Sequence, residues 1–106
     1  MKKLHLALST NDIASTVRDY TKRLGAEPVL VIPDKYALWR TDCLNLSVRN
    51  EPDGNPGELR HLGWEDEDAE TIASDVDCNG ILWEYFNART QAGEIEELWP
   101  GSGYQP

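Results

Sequence analysis

The chain has 106 residues, of which 40% are hydrophobic and 27% charged, a composition typical of one small folded domain. Its net charge of −9 at pH 7 excludes nucleic acid and anionic membrane surfaces as expected partners, because both would repel it. No apolar run approaches the roughly 20 residues that cross a bilayer, and the N-terminus does not resemble a signal peptide. With neither feature predicted, the expected location is the cytoplasm, and Cys43 and Cys78, which have no metal-type spacing, are expected to be free thiols.

The first predicted elements are a strand and a helix. Residues 3–9 alternate leucines with other side chains, which predicts a half-buried strand with His5 on the face opposite the leucines. Thr10 or Asp12 then caps a helix that Gly25 ends. The apolar residues of this helix fall at helical spacing: Ile13, Val17, Tyr20 and Leu24.

Three more strands are predicted before the middle of the chain. Residues 28–32 are largely β-branched and apolar, and they stop at the turn signal of Pro33 and Asp34. Residues 36–40 form the return strand and residues 44–48 the next one. The first unit therefore has the predicted order strand, helix and three strands, or βαβββ.

A linker and a second, similar start follow. Residues 51–57 are dense in turn-forming residues and predict a linker. A shift of 56 residues places His61 on His5, and again a strand is followed by an acidic helix start. The predicted second helix has an apolar stripe: Ala69, Ile72, Ala73 and Val76. We therefore predict a single domain, 1–106, with a first unit, a linker and a shortened second βα(β) unit at 1–50, 51–57 and 58–106.

Two registers compete for the end of the chain. In the preferred register, a tight turn over residues 77–80 leads into a closing strand over residues 81–86, and Asn87 caps a last helix. In the other register, Gly80 ends the preceding helix and residues 94–99 form a later strand. An Asn-Gly turn before a β-rich run favours the first register.

Two histidines on equivalent strands and a carboxylate on a third make the ligand set of a 2-His-1-carboxylate metal site. His5 and His61 supply the imidazoles, and the carboxylate is Glu84 in the preferred register and Glu96 or Glu97 in the other. Glu84 shares its strand face with apolar residues, where a charge needs a partner, a hydrogen bond or a metal. Hydrogen-bonded histidines and an edge-strand glutamate explain the same residues without a metal.

Several motifs resemble one protein superfamily in their order and spacing. Residues 4–13 and 24–28 resemble its opening strand, helix and exit turn, and His61-Leu62-Gly63-Trp64 resembles its second metal-binding strand. Residues 77–84 resemble its terminal signature, without the usual proline. This is the vicinal oxygen chelate superfamily, which includes glyoxalase I, bleomycin resistance proteins and extradiol dioxygenases. Its members pair two βαβββ units into a cupped sheet around a metal or ligand cavity.

The resemblance implies that His5, His61 and Glu84 hold a divalent metal ion, with Fe(II) favoured and Mn, Ni or Zn as alternatives. It implies a lyase, isomerase or dioxygenase whose substrate binds through two oxygens. The alternatives are a non-catalytic protein that sequesters a small molecule, as bleomycin resistance proteins do, and a relic fold kept for dimer assembly. Residues 35–39 and 44–47 are most similar to the cadmium-induced and organoarsenical-lyase branch. The adjacent cysteine pair with which those lyases hold arsenic is absent, so arsenic chemistry is not expected.

The remaining expectations concern the pocket and the assembly. The fourth-strand position of the glyoxalase ligand offers Asn45, Ser47 or Arg49, which favours three protein ligands with open sites. A shortened sheet leaves an edge and an apolar face that a second copy could cover, so we expect a homodimer. Four aromatic residues are candidates for pocket walls, with ordinary core packing as the alternative. They are Tyr36, Trp39, Trp64 and Trp83.

Overall fold

The computed structural model describes residues 2–106, which form seven strands and two helices and confirm the predicted α+β class. The elements are, in chain order, β1 (Lys2–Thr10), α1 (Ile13–Leu24), β2 (Leu30–Ile32), β3 (Tyr36–Arg40), β4 (Leu44–Asn50), β5 (Leu59–Asp66), β6 (Ala73–Val76), β7 (Leu82–Phe86) and α2 (Ala88–Leu98). All seven strands belong to one mixed sheet in the order β2-β3-β4-β1-β5-β7-β6. Neither helix of this described part has the length and apolar character needed to cross a bilayer.

The first strand and helix form as the sequence predicts. The Asp12 side chain accepts a hydrogen bond from the Ser15 backbone N–H at 3.0 Å, and Gly25 ends the helix with a φ of 64°. The apolar side of α1 packs on the sheet face that carries the β1 leucines, whereas His5 and Ala7 are buried on the other face. The alternation in β1 therefore divides the molecule into two layers of side chains.

The pairing of the central strands brings the two histidine strands together. β1 pairs with β4 in parallel and with β5 in antiparallel orientation, and β5 pairs in parallel with β7. His5, His61 and Glu84 thus lie on three consecutive strands of the sheet. Because each also faces the side away from α1, the fold places them in one layer.

The predicted second helix does not form. Within the predicted stripe, residues 69–72 are irregular and residues 73–76 form β6, an exposed edge strand that pairs antiparallel with β7. The turn at residues 77–80 is real, but it joins two strands. The Asp77 carboxylate closes it by accepting hydrogen bonds from the backbone N–H of Asn79 and Ile81. Turn chemistry and cross-strand pairing therefore outweigh the helical spacing of four apolar residues.

The end of the chain follows the preferred register. Residues 82–86 form β7, and Asn87 caps α2 with a capping box that includes Thr90. Helix α2 packs on the face opposite α1, where Ile95 forms a small core with Tyr36 and Leu38. This helix covers the layer that holds the histidines and so creates a cavity there.

Candidate metal centre

A cavity of about 250 Å³ lies between the sheet and α2. His5, His61 and Glu84 line it, and the lining continues to Arg49 and Arg60. Its apolar walls come from both the sheet and α2: Phe86, Ile95 and Trp99. Imidazole, carboxylate and guanidinium groups therefore share one partly enclosed space.

Three potential ligand atoms converge in this cavity. The Nε2 atoms of His5 and His61 are 2.9 Å apart, and His61 Nε2 is 2.7 Å from Glu84 Oε1. All three ligand atoms lie within 4.8 Å of one another. Ligand atoms at right angles around an ion with bonds of about 2.1 Å are about 3.0 Å apart, so the two short distances suit one ion.

The protonation of His5 leaves a lone pair for an ion. Its Nδ1 lies 3.1 Å from the Asn45 backbone oxygen and 2.9 Å from the Asn45 side-chain oxygen, so Nδ1 carries the hydrogen and Nε2 does not. Burial, and then the nearby His61, lower the pKa of His5 to about 4, which keeps the ring neutral at pH 7. A neutral imidazole with a free Nε2 is the form that binds metals.

Glu84 and His5 both present an acceptor atom to the same ring nitrogen of His61. The hydrogen bond from His61 lowers the pKa of Glu84, although partial burial acts in the opposite direction. With His5 Nε2 bare, the hydrogen on His61 Nε2 faces two acceptors, one on each neighbouring residue. A cation in place of this hydrogen would satisfy all three atoms, so the donor set fits a divalent ion.

A buried polar network holds His5 from behind. Asn45 is 0% exposed, and its side-chain N–H groups donate to Glu65 and to Gln91, both at 2.8 Å. The Glu65 carboxylate also accepts two hydrogen bonds from Arg40. Since these contacts fix the Asn45 amide, they also fix the oxygen that accepts from the His5 ring.

Gly63 lies between the strands that carry the three residues. It is opposite His5 on β1 and opposite Glu84 on β7. A Cβ atom at this position would overlap the backbone carbonyl of Glu84. Glycine therefore allows β7 to approach β5 closely enough for Glu84 to reach His61.

We expect Gly63→Ala to lower the free energy of unfolding by about 3 kcal/mol, at the upper end of overpacking effects, because rigid backbone must move. Urea unfolding of metal-free protein measures this change. Gly93→Ala is the matched control, because a Cβ there meets nothing within 4 Å and α2 gains up to about 1 kcal/mol of helix propensity. Equal stabilities of the two variants would contradict the role of Gly63.

Among the four predicted pocket aromatics, only Tyr36 lines the cavity. Trp39 is fully buried on the α1 side of the sheet, where it donates to the Ala26 backbone oxygen. Trp83 lies next to Glu84 in β7, so it points to the opposite face and donates to Asp77. Trp64 is three residues from His61 in β5 and likewise belongs to the other face, beneath the Lys2 ammonium. The expectation of a four-aromatic pocket is therefore wrong at three positions.

The other carboxylate candidates lie elsewhere. Glu96 points to the C-terminal segment, where it accepts hydrogen bonds from the Gly101 and Gly103 backbone. Glu97 is an exposed residue of α2 and does not line the cavity. The structure therefore brings Glu84, and neither of these two, to the histidines.

The two arginines in the cavity wall were missed as site residues. Arg49 follows Asn45 and Ser47 on one face of β4, so its direction is readable from the alternation. Arg60 precedes His61 in the sequence, and a regular strand would place the two on opposite faces. A bulge in β5, where the register shifts between its pairing with Ala7 and with Leu8, turns both towards the cavity.

Comparisons with known proteins give one relative by sequence and a likeness in fold. No protein-family model matches the chain. The "Trivalent organoarsenical cleaving enzyme" of Bacillus sp. (strain MD1) is 35% identical over 97 residues, which cover 85% of this chain and 58% of that enzyme. The chain thus spans less than two thirds of this relative's length. A crystal structure of a hypothetical protein from Staphylococcus aureus matches with a TM-score of 0.56 and 13% identity, over 79% of this chain and 32% of that one. The chain is therefore similar in sequence to a named enzyme and similar in fold, at low identity, to a solved protein.

Proposed function

We propose that this chain is a metal-dependent enzyme of the vicinal oxygen chelate superfamily, a lyase, isomerase or dioxygenase on a small substrate with two neighbouring oxygens. The observation that carries the proposal is the convergence of His5, His61 and Glu84 in one cavity. Similarity to an enzyme over most of the chain supports a catalytic function. A bound divalent ion, Fe(II) or else Mn, Ni or Zn, would act as a Lewis acid that polarises the two oxygens.

The chain's own residues would prepare the site in three ways. Asn45 and its network hold the His5 ring in the binding tautomer. The Phe86 ring packs edge-on against His5 at 4.8 Å between centroids, which limits the movement of the imidazole and excludes water on that side. Three protein ligands leave coordination positions free for two substrate oxygens. Binding and orientation, rather than a protein nucleophile, are therefore what these residues contribute.

The named activity of the relative is not part of the proposal. Trivalent arsenic is a soft ion that prefers thiolates. Cys43 and Cys78 are both exposed, and among residues 2–106 no thiol lines the cavity. A substrate that coordinates through oxygen fits the imidazole and carboxylate groups better.

Metal analysis of protein purified without chelator tests the proposal. We expect about one Fe, Mn, Ni or Zn per chain, since the three ligands form a single site. Removal of the ion should lower stability, and an ion at 100 times its Kd should restore about 2.7 kcal/mol. Protein that holds no metal, and takes up none on titration, would exclude the enzyme. If such protein still bound a small aromatic ligand, it would be a binding protein of the bleomycin resistance kind.

The homodimer stays a prediction. β2 and β6 are the edge strands of the sheet, and they carry exposed apolar residues such as Val31 and Val76. A second copy that paired along either edge would cover these side chains and the free backbone groups. Sedimentation analysis of the purified protein measures the assembly, and a monomer at all concentrations would refute the dimer.

A further inference from the structure

Two arginines reach the cavity from strands on either side of β1. Arg49 on β4 is paired with Ser9 of β1, and the bulge in β5 places Arg60 next to the same end of β1. The two backbones are therefore separated by a single strand, or about 10 Å. Ser9 between them is small and buried, so the long guanidinium side chains extend over it into one cavity.

Among the described residues, Arg60 forms no ion pair. Its side chain is half-buried, yet no carboxylate oxygen of residues 2–106 lies within 4.0 Å of its guanidinium. The Arg49 guanidinium lines the same cavity, and the carboxylates of Glu51 and Glu84 act on Arg60 only at longer range, without an ion pair. A guanidinium that is partly removed from water and placed beside another cation is unfavourable without an anion.

The carboxylates near the cavity do not supply that anion. Glu84 is engaged with His61 at 2.7 Å, and Glu94 is an exposed residue of α2 at the rim. Arg49 has a contact of 3.5 Å with the partly exposed Glu51, and its guanidinium lies 5.6 Å from the centre of the Trp99 ring. Arg49 is thus held in place by neighbours, whereas the Arg60 guanidinium forms no ion pair with any of residues 2–106.

We infer that Arg60, assisted by Arg49, binds a carboxylate of the substrate. The substrate would then be a small organic acid with two neighbouring oxygens at one end and a carboxylate at the other. The planar guanidinium matches a carboxylate with two parallel hydrogen bonds. A cavity of about 250 Å³ is smaller than the roughly 300–1,000 Å³ of drug-sized sites, so it suits a compact acid. This inference rests on the proposed function only for the end of the substrate that carries the two neighbouring oxygens.

Two ligands that differ in one group provide the test. Protocatechuate has two neighbouring hydroxyls and a carboxylate, and its amide keeps the hydroxyls but is neutral. Calorimetric titration of Zn-loaded protein, in which no redox turnover occurs, gives both dissociation constants. We expect the acid to bind at least about tenfold more tightly than the amide, because hydrogen bonds between charged groups are the stronger ones.

Substitutions then assign the preference to the arginine. Arg60→Gln should reduce the acid-to-amide preference to about twofold or less, and Arg49→Gln should reduce it in part. Arg18→Gln is the matched control. The Arg18 guanidinium lies on the exposed side of α1, where it donates to the Ser15 hydroxyl, so this variant should keep the wild-type preference for the acid. Far-UV circular dichroism checks that each variant is folded, and Arg49→Gln provides the second reading if Arg60→Gln is not.

The outcomes separate this inference from the proposed function. Equal affinities for acid and amide in Zn-loaded wild type would overturn the carboxylate site but leave the metal site intact. A preference for the acid that survives both arginine substitutions would have the same consequence. No binding of the acid at millimolar concentration would also overturn it. If the protein takes up no zinc but still prefers the acid, and loses this preference in Arg60→Gln, the carboxylate site stands and the proposed enzyme does not.

Discussion

His61→Ala is expected to lower the affinity for a divalent ion by at least about a thousandfold. His61 is the central member of the three residues, since its Nε2 lies 2.9 Å from His5 and 2.7 Å from Glu84. Its removal would leave only the His5 imidazole and the Glu84 carboxylate to hold an ion. Substitutions behind a ligand lower metal affinity by roughly 10–100-fold, and the loss of a ligand itself should exceed this. Competition titration of the chelator-treated protein with zinc measures the change.

Glu94→Gln is the matched control for this experiment. Glu94 lines the same cavity and carries the same charge as Glu84, but it is not one of the three converging residues. If the cavity attracts cations only through its negative charge, then Glu94→Gln would weaken zinc binding as much as Glu84→Gln. A specific site predicts about a twofold change for Glu94→Gln and a large loss for Glu84→Gln. Similar losses in both variants would refute the site.

Alternation along strands made the ligand positions predictable. The period of two in β1 places His5 opposite the leucines, and the same rule places Glu84 with Leu82 and Phe86 on one face of β7. The same alternation excludes two tryptophans from the cavity face of the sheet. Trp64 is an odd number of residues from His61, and Trp83 is next to Glu84. The aromatic side chains were candidates for pocket walls because binding pockets are rich in them, but the direction of each side chain depends on its position in the strand.

Features that depend on distant partners were not predictable in the same way. The stripe from Ala69 to Val76 has helical spacing, but its last four residues gain an antiparallel partner in β7, which local spacing does not reveal. The bulge that turns Arg60 into the cavity is a mismatch between β1 and β5, and neither strand alone indicates it. The contact of Asn45 with Gln91 joins residues 46 positions apart. Sequence periodicity fixes the direction of a side chain in a regular element, whereas its partners come from the tertiary fold.

Asn45→Ala is expected to lower the free energy of unfolding by about 3 to 5 kcal/mol, because it leaves the buried Gln91 amide without a partner and removes one hydrogen bond each from Glu65 and His5. Glu65 and Gln91 each lose a hydrogen bond of 2.8 Å, and His5 loses its contact with the side-chain oxygen. The Asn45 backbone oxygen still lies 3.1 Å from His5 Nδ1, so the binding tautomer persists. Zinc affinity should therefore fall by only about tenfold, the low end for groups behind a ligand.

Urea unfolding and zinc titration of the same preparations separate these two effects, with Asn50→Ala as the control. Asn50 is the last residue of β4 and carries the same side chain as Asn45. Its side-chain N–H donates to the Asp34 backbone oxygen near the surface. Its removal should lower the unfolding free energy by less than about 1 kcal/mol and leave zinc affinity unchanged. Comparable destabilisation by both substitutions would show that Asn45 acts as an ordinary polar residue. A stable Asn45→Ala variant with wild-type zinc affinity would show that the Asn45 network does not hold the His5 ring in its metal-binding orientation.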